Sequence, residues 1–392
     1  MEPAEEAEVV AAEVGRDAAV QERSAETRFL RAPHRVPRVA RPVAVVVAPV
    51  TEEFAKGLFL VLLFVLKRID QVRQQRQVAF QQAWLPVLTR VALGDPLGTL
   101  PKHSASDGWK LIKLWVRFQV ALRGEPQDRL RALGQTLGCA RLARQRLHSK
   151  HRSEQIFSLL TLGYMREASD LPRIQPLLTH PSNTVSAYAA WAFLQLSPEQ
   201  AAPQVLTQLI QRPDIDVQRV ASILKPFRPV LQQEWQRHMA QVAAPGAQPP
   251  APASLAWLFK IGAAMGCTLA PALLLPYLQA AQPMDILIGA IRLSRTEDDV
   301  QAIRALVAHP DWQVRTQVAV ALGRLGDLSD TERLKPLLMD TQWWVRYRAA
   351  QALFSLPGLS RVQAAELIEG LPDKYAHDIG HQVLAELDRQ PA

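Results

Sequence analysis

Two cysteines, Cys139 and Cys267, are all that the 392 residues contain. They stand far apart and without ligand-type spacing, which excludes a disulfide framework and a zinc site of the paired-cysteine kind, and fits a reducing compartment. Aromatic residues make up only 6% of the chain and β-branched runs are scarce, so a sheet-based core lacks its usual alphabet. No Gly-rich phosphate loop, no Gly-x-Ser-x-Gly elbow and no Cys/His nucleophile arrangement occurs, which removes the commonest motif-borne chemistries. A secretory signal layout is missing too, because the apolar core comes late and no small-residue cleavage site follows it. Acids are the minority charge, 37 against 45 Lys and Arg, giving a formal net charge of +8. That balance suits phospholipid headgroups, nucleic acid or an acidic protein surface, and by itself does not choose among them.

What is present favours helix. Ala, Leu, Gln and Arg recur throughout and 48% of residues are hydrophobic, enough for a large core spread over two or three domains. The expected class is all-α, organised as a disordered N-terminal segment over 1–53, a membrane-anchor helix with a basic flank over 54–80, a basic helical region over 81–152, and an α-solenoid over 153–392. The N-terminal segment starts acidic and turns into an Arg/Pro mixture (Arg31, Pro33, Arg35, Pro37, Arg38) with no periodicity, as disordered segments do.

The candidate anchor is the uninterrupted apolar run Leu58, Phe59, Leu60, Val61, Leu62, Leu63, Phe64, Val65 and Leu66, closed by Lys67 and Arg68. Such a run rises only about 15 Å as a helix, half a bilayer core, and a full span would have to include Glu52, Glu53 and Lys56. The plain alternative is a buried core helix, but a soluble helix should show one polar side and this run shows none. An anchor that spans or lies on the membrane, with the rest of the chain on the cytoplasmic face of an inner membrane, is the expectation; a cytoplasmic protein is the alternative.

Between Lys102 and Arg152 twelve Lys or Arg face only Asp107, Glu125 and Asp128. Lys102, Lys110, Lys113, Arg117, Arg141, Arg144 and Arg146 are candidate contacts to an anionic surface, set against the ordinary fate of such charges, a solvated face. Closeness to the anchor favours lipid headgroups or another membrane protein; a soluble nucleic-acid-binding role for 102–152 is the second, less favoured reading.

The strongest signal is internal repetition. Four segments share one frame, Leu178 to Val185, Ile210 to Val217, Val307 to Val314 and Leu338 to Val345, each with an aliphatic residue seven positions before a Val. Three carry Pro at the same place (Pro181, Pro213, Pro310) followed by a good N-cap residue, Ser182, Asp214 or Asp311; the fourth has Thr341. Val185 to Val217 is 32 residues and Val314 to Val345 is 31, a period that means stacked helical pairs. Between the second and third copies the pattern degenerates, and the apolar stretch Leu255 to Leu278 is expected to be buried repeat helix, since Lys260, Pro271 and Pro276 interrupt any span.

The segments Asp311-Trp-Gln-Val-Arg-Thr-Gln-Val-Ala-Val-Ala-Leu-Gly-Arg-Leu-Gly-Asp327 and Trp344-Val-Arg-Tyr-Arg-Ala-Ala-Gln-Ala-Leu353 resemble bacterial HEAT repeats of the phycobilisome-lyase-like kind. The resemblance is fair near 178–194, weak near 210–224 and absent before about 150. It implies an α-solenoid whose commonest role is protein binding. With a membrane-proximal helix ahead of it, the layout also resembles envelope-associated HEAT proteins that accompany glycosyltransferases, a likeness of arrangement only. Di-iron hydroxylases of this architecture carry His-Glu pairs on successive helices, and the chain contains no His-Glu dipeptide. HEAT-like alkylpurine glycosylases need a basic face with exposed Trp and an Asp; Trp312, Trp343 and Trp344 with Arg315 and Arg346 imitate it, but they fall at helix starts. These five are the candidate partner-binding residues, with a structural ladder as the plain alternative. His377 and His381, one turn apart, lack the Glu and third ligand of a zinc protease. The expectation is a non-enzyme without cofactor or metal that binds a protein partner.

Overall fold

The computed structural model describes residues 48–389 apart from 103, 105, 106, 245, 247 and 249. The segment 1–47, expected to be disordered, and most side chains before Gln74 lie outside the described residues. Every regular element described is helical. The chain forms two compact units, one ending at Asp170 and the other starting at Leu171, so the second begins later than residue 153.

The first unit opens with one continuous helix, α1 (Ala48–Leu93), beginning before residue 54 and running past 80. Among the described residues no helix is long and apolar enough to cross a membrane. Its last turns enter a core through Trp84, Val87 and Leu88, whereas positions 74–79 are exposed all round. Helices α2 (Gly108–Ala121), α3 (Glu125–Thr136), α4 (Cys139–Arg146) and α5 (Arg152–Met165) complete the unit. The stripe Ile112, Trp115 of α2 is buried, and Trp115 Nε1 donates to the carbonyl of Leu130 at 2.7 Å, so this indole satisfies its one polar atom inside the core. α5 packs on α4, which is why the first unit extends beyond 152.

The second unit is a run of helical pairs: α6 (Asn183–Leu196) with α7 (Pro198–Gln211), α8 (Val217–Leu224) with α9 (Arg228–Val242), α10 (Pro252–Ala264) with a broken turn over 271–277, α11 (Met284–Leu293) with α12 (Glu297–Arg304), α13 (Trp312–Leu325) with α14 (Thr331–Leu338), and α15 (Trp343–Ser355) with α16 (Arg361–Glu369), then α17 (Lys374–Arg389). First helices stack on first helices, α6 on α8, α8 on α10, α10 on α11, α11 on α13, α13 on α15 and α15 on α17, because a lone pair leaves its apolar stripe exposed. Val185, Val217, Val314 and Val345 are all buried, as the frame requires. At Gly323 of α13 a Cβ would come within 2.6 Å of the Ala352 Cα of α15, so the two backbones pack closer than side chains allow.

One repeat starts differently. Ser182 and Asp311 occupy the N-cap positions expected of them, and Asp311 accepts from Gln313 N at 2.7 Å. In the second copy the cap is Asp216, whose carboxylate takes the backbone N–H groups of Gln218 and Arg219, while Asp214 pairs with Arg212 at 3.1 Å. Val217 therefore opens its helix, whereas Val314 is the third residue of its own. Lys225-Pro226 then ends α8 early in a tight turn, since proline cannot continue the ladder. Leu255 to Leu278 is repeat helix and turn with Leu255, Trp257, Leu258, Phe259 and Ile261 buried.

Candidate functional site

The turn before each repeat's first helix places the candidate arginines. Arg315, at the start of α13, donates from Nη1 to the carbonyls of His309 at 2.8 Å and Pro310 at 2.9 Å, closing its own turn. Its other edge forks onto Asp340 of the following turn, Nε to Oδ2 at 2.6 Å and Nη2 to Oδ1 at 2.9 Å. Planar bidentate pairing of this kind is strong and directional. Burial, the largest single influence, pushes the Asp340 carboxyl up, but the hydrogen bonds from Arg315 and Gln342 N and the charges of Arg315 and Arg346 together hold it below the usual carboxylate range. All of Arg315's edges are thus engaged within the solenoid, and it links one repeat to the next.

Arg346 makes the same turn-closing bonds, Nη1 to the carbonyls of Asp340 at 2.7 Å and Thr341 at 3.4 Å. Around it the surface is aromatic. Trp343 and Trp344 are 39% and 52% exposed, and Trp312 is half-buried. Trp343 stacks on Tyr347 with centroids 5.0 Å apart and an interplanar angle of 9°, and Trp344 stands edge-on to Trp343 at 4.7 Å. Tyr375, from the start of α17, lies over the Arg346 guanidinium at 5.3 Å. The Tyr347 hydroxyl donates to Glu386 at 2.6 Å and Arg348 lies against the Tyr347 ring. Trp343 and Trp344 therefore come together with Tyr347 and Arg348, while Arg346, at the same helix start, is joined by Tyr375. The sequence reading missed Tyr347, Arg348 and Tyr375; the Trp-Trp-x-Arg-Tyr-Arg run of 343–348 carried the signal for two of them, and Tyr375 is brought in only by the stacking of α17.

The basic region of the first unit divides in two. Arg144 forks onto the fully buried Asp170, Nε to Oδ1 at 2.7 Å and Nη2 to Oδ2 at 2.9 Å, and also pairs with Glu167. Arg146 pairs with Glu154 at 2.8 Å and lies over the Trp109 ring; Lys110 pairs with Asp107 at 2.9 Å, and Lys113 lies over the Phe157 ring. These contacts turn the charges inward or along the surface. Lys102, Arg117 and Arg141 are exposed and are left facing solvent.

The Arg144 device recurs in the second unit. Arg304, at the end of α12, forks onto the fully buried Asp330, Nε to Oδ1 and Nη2 to Oδ2 both at 2.9 Å, and reaches Asp327 at 2.9 Å and Glu297 at 2.8 Å. Arginine and buried aspartate are 26 residues apart in both. The aspartate ends the same short pattern, Glu167-Ala-Ser-Asp170 and Asp327-Leu-Ser-Asp330. The repeat-type clamp thus reaches back to residue 144, into a stretch where the repeat frame is not visible in sequence.

In the first half of α1, Phe59 and Phe64 are 60% and 64% exposed, Val65 is also exposed, and Lys67 and Arg68 follow. The side chains of Leu58, Leu60, Val61, Leu62, Leu63 and Leu66 lie outside the described residues.

As for chemistry, burial pushes the Cys139 thiol to about 12 and the Cys267 thiol to about 11, so neither is a ready nucleophile. His377 Nε2 lies 2.8 Å from the Leu371 carbonyl oxygen and His381 pairs with Glu369 at 2.6 Å. Among the described residues no group of three or more His, Cys, Asp and Glu side chains converges as a metal ion would need.

Residues 285–353, the stretch from α11 into α15, match the family described as HEAT repeats. The match takes in the α11–α12 pair, which lies in the stretch where the four-copy frame degenerates. No curated protein matches the chain. Among solved structures, human deoxyhypusine hydroxylase in complex with glycerol is 16% identical, with 73% of this chain and 99% of that chain covered, at a TM-score of 0.26; a likeness of that size carries no argument about activity.

Proposed function

We propose that the protein is a non-catalytic scaffold that binds a partner protein at the 343–348 surface of its solenoid, and that the apolar end of α1 rests on the cytoplasmic face of an inner membrane. The observation that carries the first part is the exposed Trp343 and Trp344 pair, mounted on a rigid helix start beside Arg346, in a chain that buries Trp84, Trp115 and Trp235 completely. Exposed aromatic clusters with arginine are the composition of binding hot spots, where large area is offered at low entropic cost. Phe59 and Phe64 support the second part: an apolar helix end exposed to water and followed at once by Lys67 and Arg68 has the make-up of an interfacial anchor on anionic lipid. The phycobilisome-lyase-like character of the repeats, a bacterial source and service beside a glycosyltransferase rest on resemblance alone.

Two measurements test this reading. Beads carrying the full chain are incubated with detergent-solubilised membranes, alongside beads carrying Trp343→Ala/Trp344→Ala. Proteins retained by the first and lost from the second, with equal melting temperatures, are the expected result; identical retention removes the surface from consideration. In parallel, the chain should sediment with vesicles of one-third phosphatidylglycerol and Phe59→Asp/Phe64→Asp should stay in the supernatant. A wild-type chain that ignores the vesicles ends the anchor proposal.

A further inference from the structure

The arginine clamps of successive turns are alike on one edge and differ on the other. On the shared edge, Nη1 of Arg315 and of Arg346 closes the arginine's own turn onto the carbonyl six residues back, and His377 Nε2 stands 2.8 Å from the Leu371 carbonyl in the turn after that. On the other edge, Arg315 is met by Asp340 from the next turn along. For Arg346 the next turn is Leu371-Pro372-Asp373, and Leu371 holds the place of Asp340. No carboxylate forks onto Arg346 among the described residues: its Nε is buried and has no acceptor, and Asp340, turned onto Arg315, acts on it through charge alone. The neighbouring acids are engaged elsewhere or set apart. Asp340 holds Arg315, Glu386 takes the Tyr347 hydroxyl, Asp373 accepts from Tyr375 N, and Asp378 is exposed further along α17.

An arginine whose Nε is desolvated and without an acceptor has already met the cost of taking that donor out of water. An incoming carboxylate recovers that cost and adds a charge-assisted fork. Nη1 is fixed by two carbonyls, so the guanidinium plane is pre-oriented and little freedom is lost on binding. Tyr375 lies over the plane and is 64% exposed, so its ring offers apolar surface beside the guanidinium. Trp343 and Trp344 offer apolar area alongside.

We propose that the unanswered Nε side of Arg346 receives a carboxylate delivered by the partner, an Asp or Glu side chain flanked by apolar residues that lie on Trp343, Trp344 and Tyr375. The partner's acid stands to Arg346 as Asp340 stands to Arg315. This rests on the scaffold reading and adds to it the chemistry of what is bound.

The test pans the full chain against a phage-displayed library of random heptapeptides and resynthesises the enriched sequences. Enriched peptides should carry an Asp or Glu beside apolar residues. Replacing that acid by its amide should weaken binding at least tenfold, Arg346→Gln should weaken it by the same factor, and the two together should cost little more than either. Arg346→Lys, which keeps the charge and loses the fork, should behave like Arg346→Gln. Should Arg346 variants melt early, the acid-to-amide exchange on wild-type protein still decides. Enriched peptides without an acid, binding that ignores Arg346, or no enrichment at all overturns the inference. Peptides that bind through Trp343 and Trp344 but ignore Arg346 leave the scaffold reading standing while removing this one.

Discussion

Replacing Arg304 by Met isolates the inter-repeat clamp from everything around it. The Asp330 carboxylate is fully buried and the Arg304 side chain nearly so. Met keeps most of the aliphatic stem, so the change removes hydrogen bonds and charge more than packing. The contacts to Glu297 and Asp327 involve exposed acids and are worth at most about 1 kcal/mol each. The fork to Asp330 dominates, because breaking a buried pair strands a charge at a cost of about 3–5 kcal/mol. The Asp330 carboxylate still accepts from Arg333 Nη1 at 3.3 Å and from Asp327 N at 3.1 Å, which puts the expected loss at about 3 kcal/mol, the lower end. Adding Asp330→Leu removes the stranded charge; what is left is the missing cap on Asp327 N, about 1 kcal/mol. A solenoid opens locally, so native-state hydrogen exchange in α13 and α14 is the assay, and 3 kcal/mol reads as exchange faster by roughly 100-fold. The double variant should recover most of that. Exchange within about twofold of wild type in Arg304→Met, or a double variant worse than the single, would refute the assignment of Arg304–Asp330 as a buried clamp.

Gly323→Ala pits about 1 kcal/mol of helix propensity against a methyl directed at the Ala352 backbone; the contact at 2.6 Å should win, and a chain that melts higher instead shows that α13 and α15 can move apart freely. Asp330 and Asp340 both have carboxyls that burial raises but their arginine partners lower further, to a net value below normal. Their contribution is therefore complete above the unfolded carboxyl value of about 4 and is lost as pH falls through the lower folded values. Melting should hold level from pH 7 to about 5 and drop below about 4, with a shallower drop in Asp340→Asn; stability that rises on acidification contradicts the sign.

The helical class and the repeat frame were legible in the sequence because they depend on residue type and on an apolar spacing that returns every 31 or 32 residues. Burial of Val185, Val314 and Val345 follows from the apolar spacing alone. The arginines were not legible in the same way. Arg144 read as a contact to an anionic surface and Arg315 as a partner contact or a rung of a structural ladder, because their carboxylate partners lie about 25 residues away and meet them only after a neighbouring helix has stacked. Net charge counts such residues without saying where each points. Asp214 read as a cap because it follows proline, but Arg212 competes for its carboxylate and Asp216 is better placed to take two backbone N–H groups. The pairing of Arg144 with Asp170 could have been found by comparing Glu-Ala-Ser-Asp with Asp-Leu-Ser-Asp and looking the same distance upstream of each for arginine.

The unbroken course of α1 changes what its apolar end can do. From Phe64 to Trp84 the helix rises roughly 30 Å at 1.5 Å per residue before the chain enters the first unit's core. A flexible linker of that length would let the unit wander and would raise the local concentration of any partner nearby, whatever its height above the lipid. A helix is a strut instead. It sets a stand-off, and because each residue turns the backbone by about 100°, it also fixes which side of the first unit faces a lipid surface when Phe59 and Phe64 lie in it. Attachment through that end, as proposed, would select among partners by reach and bearing, much as a bracket differs from a cord.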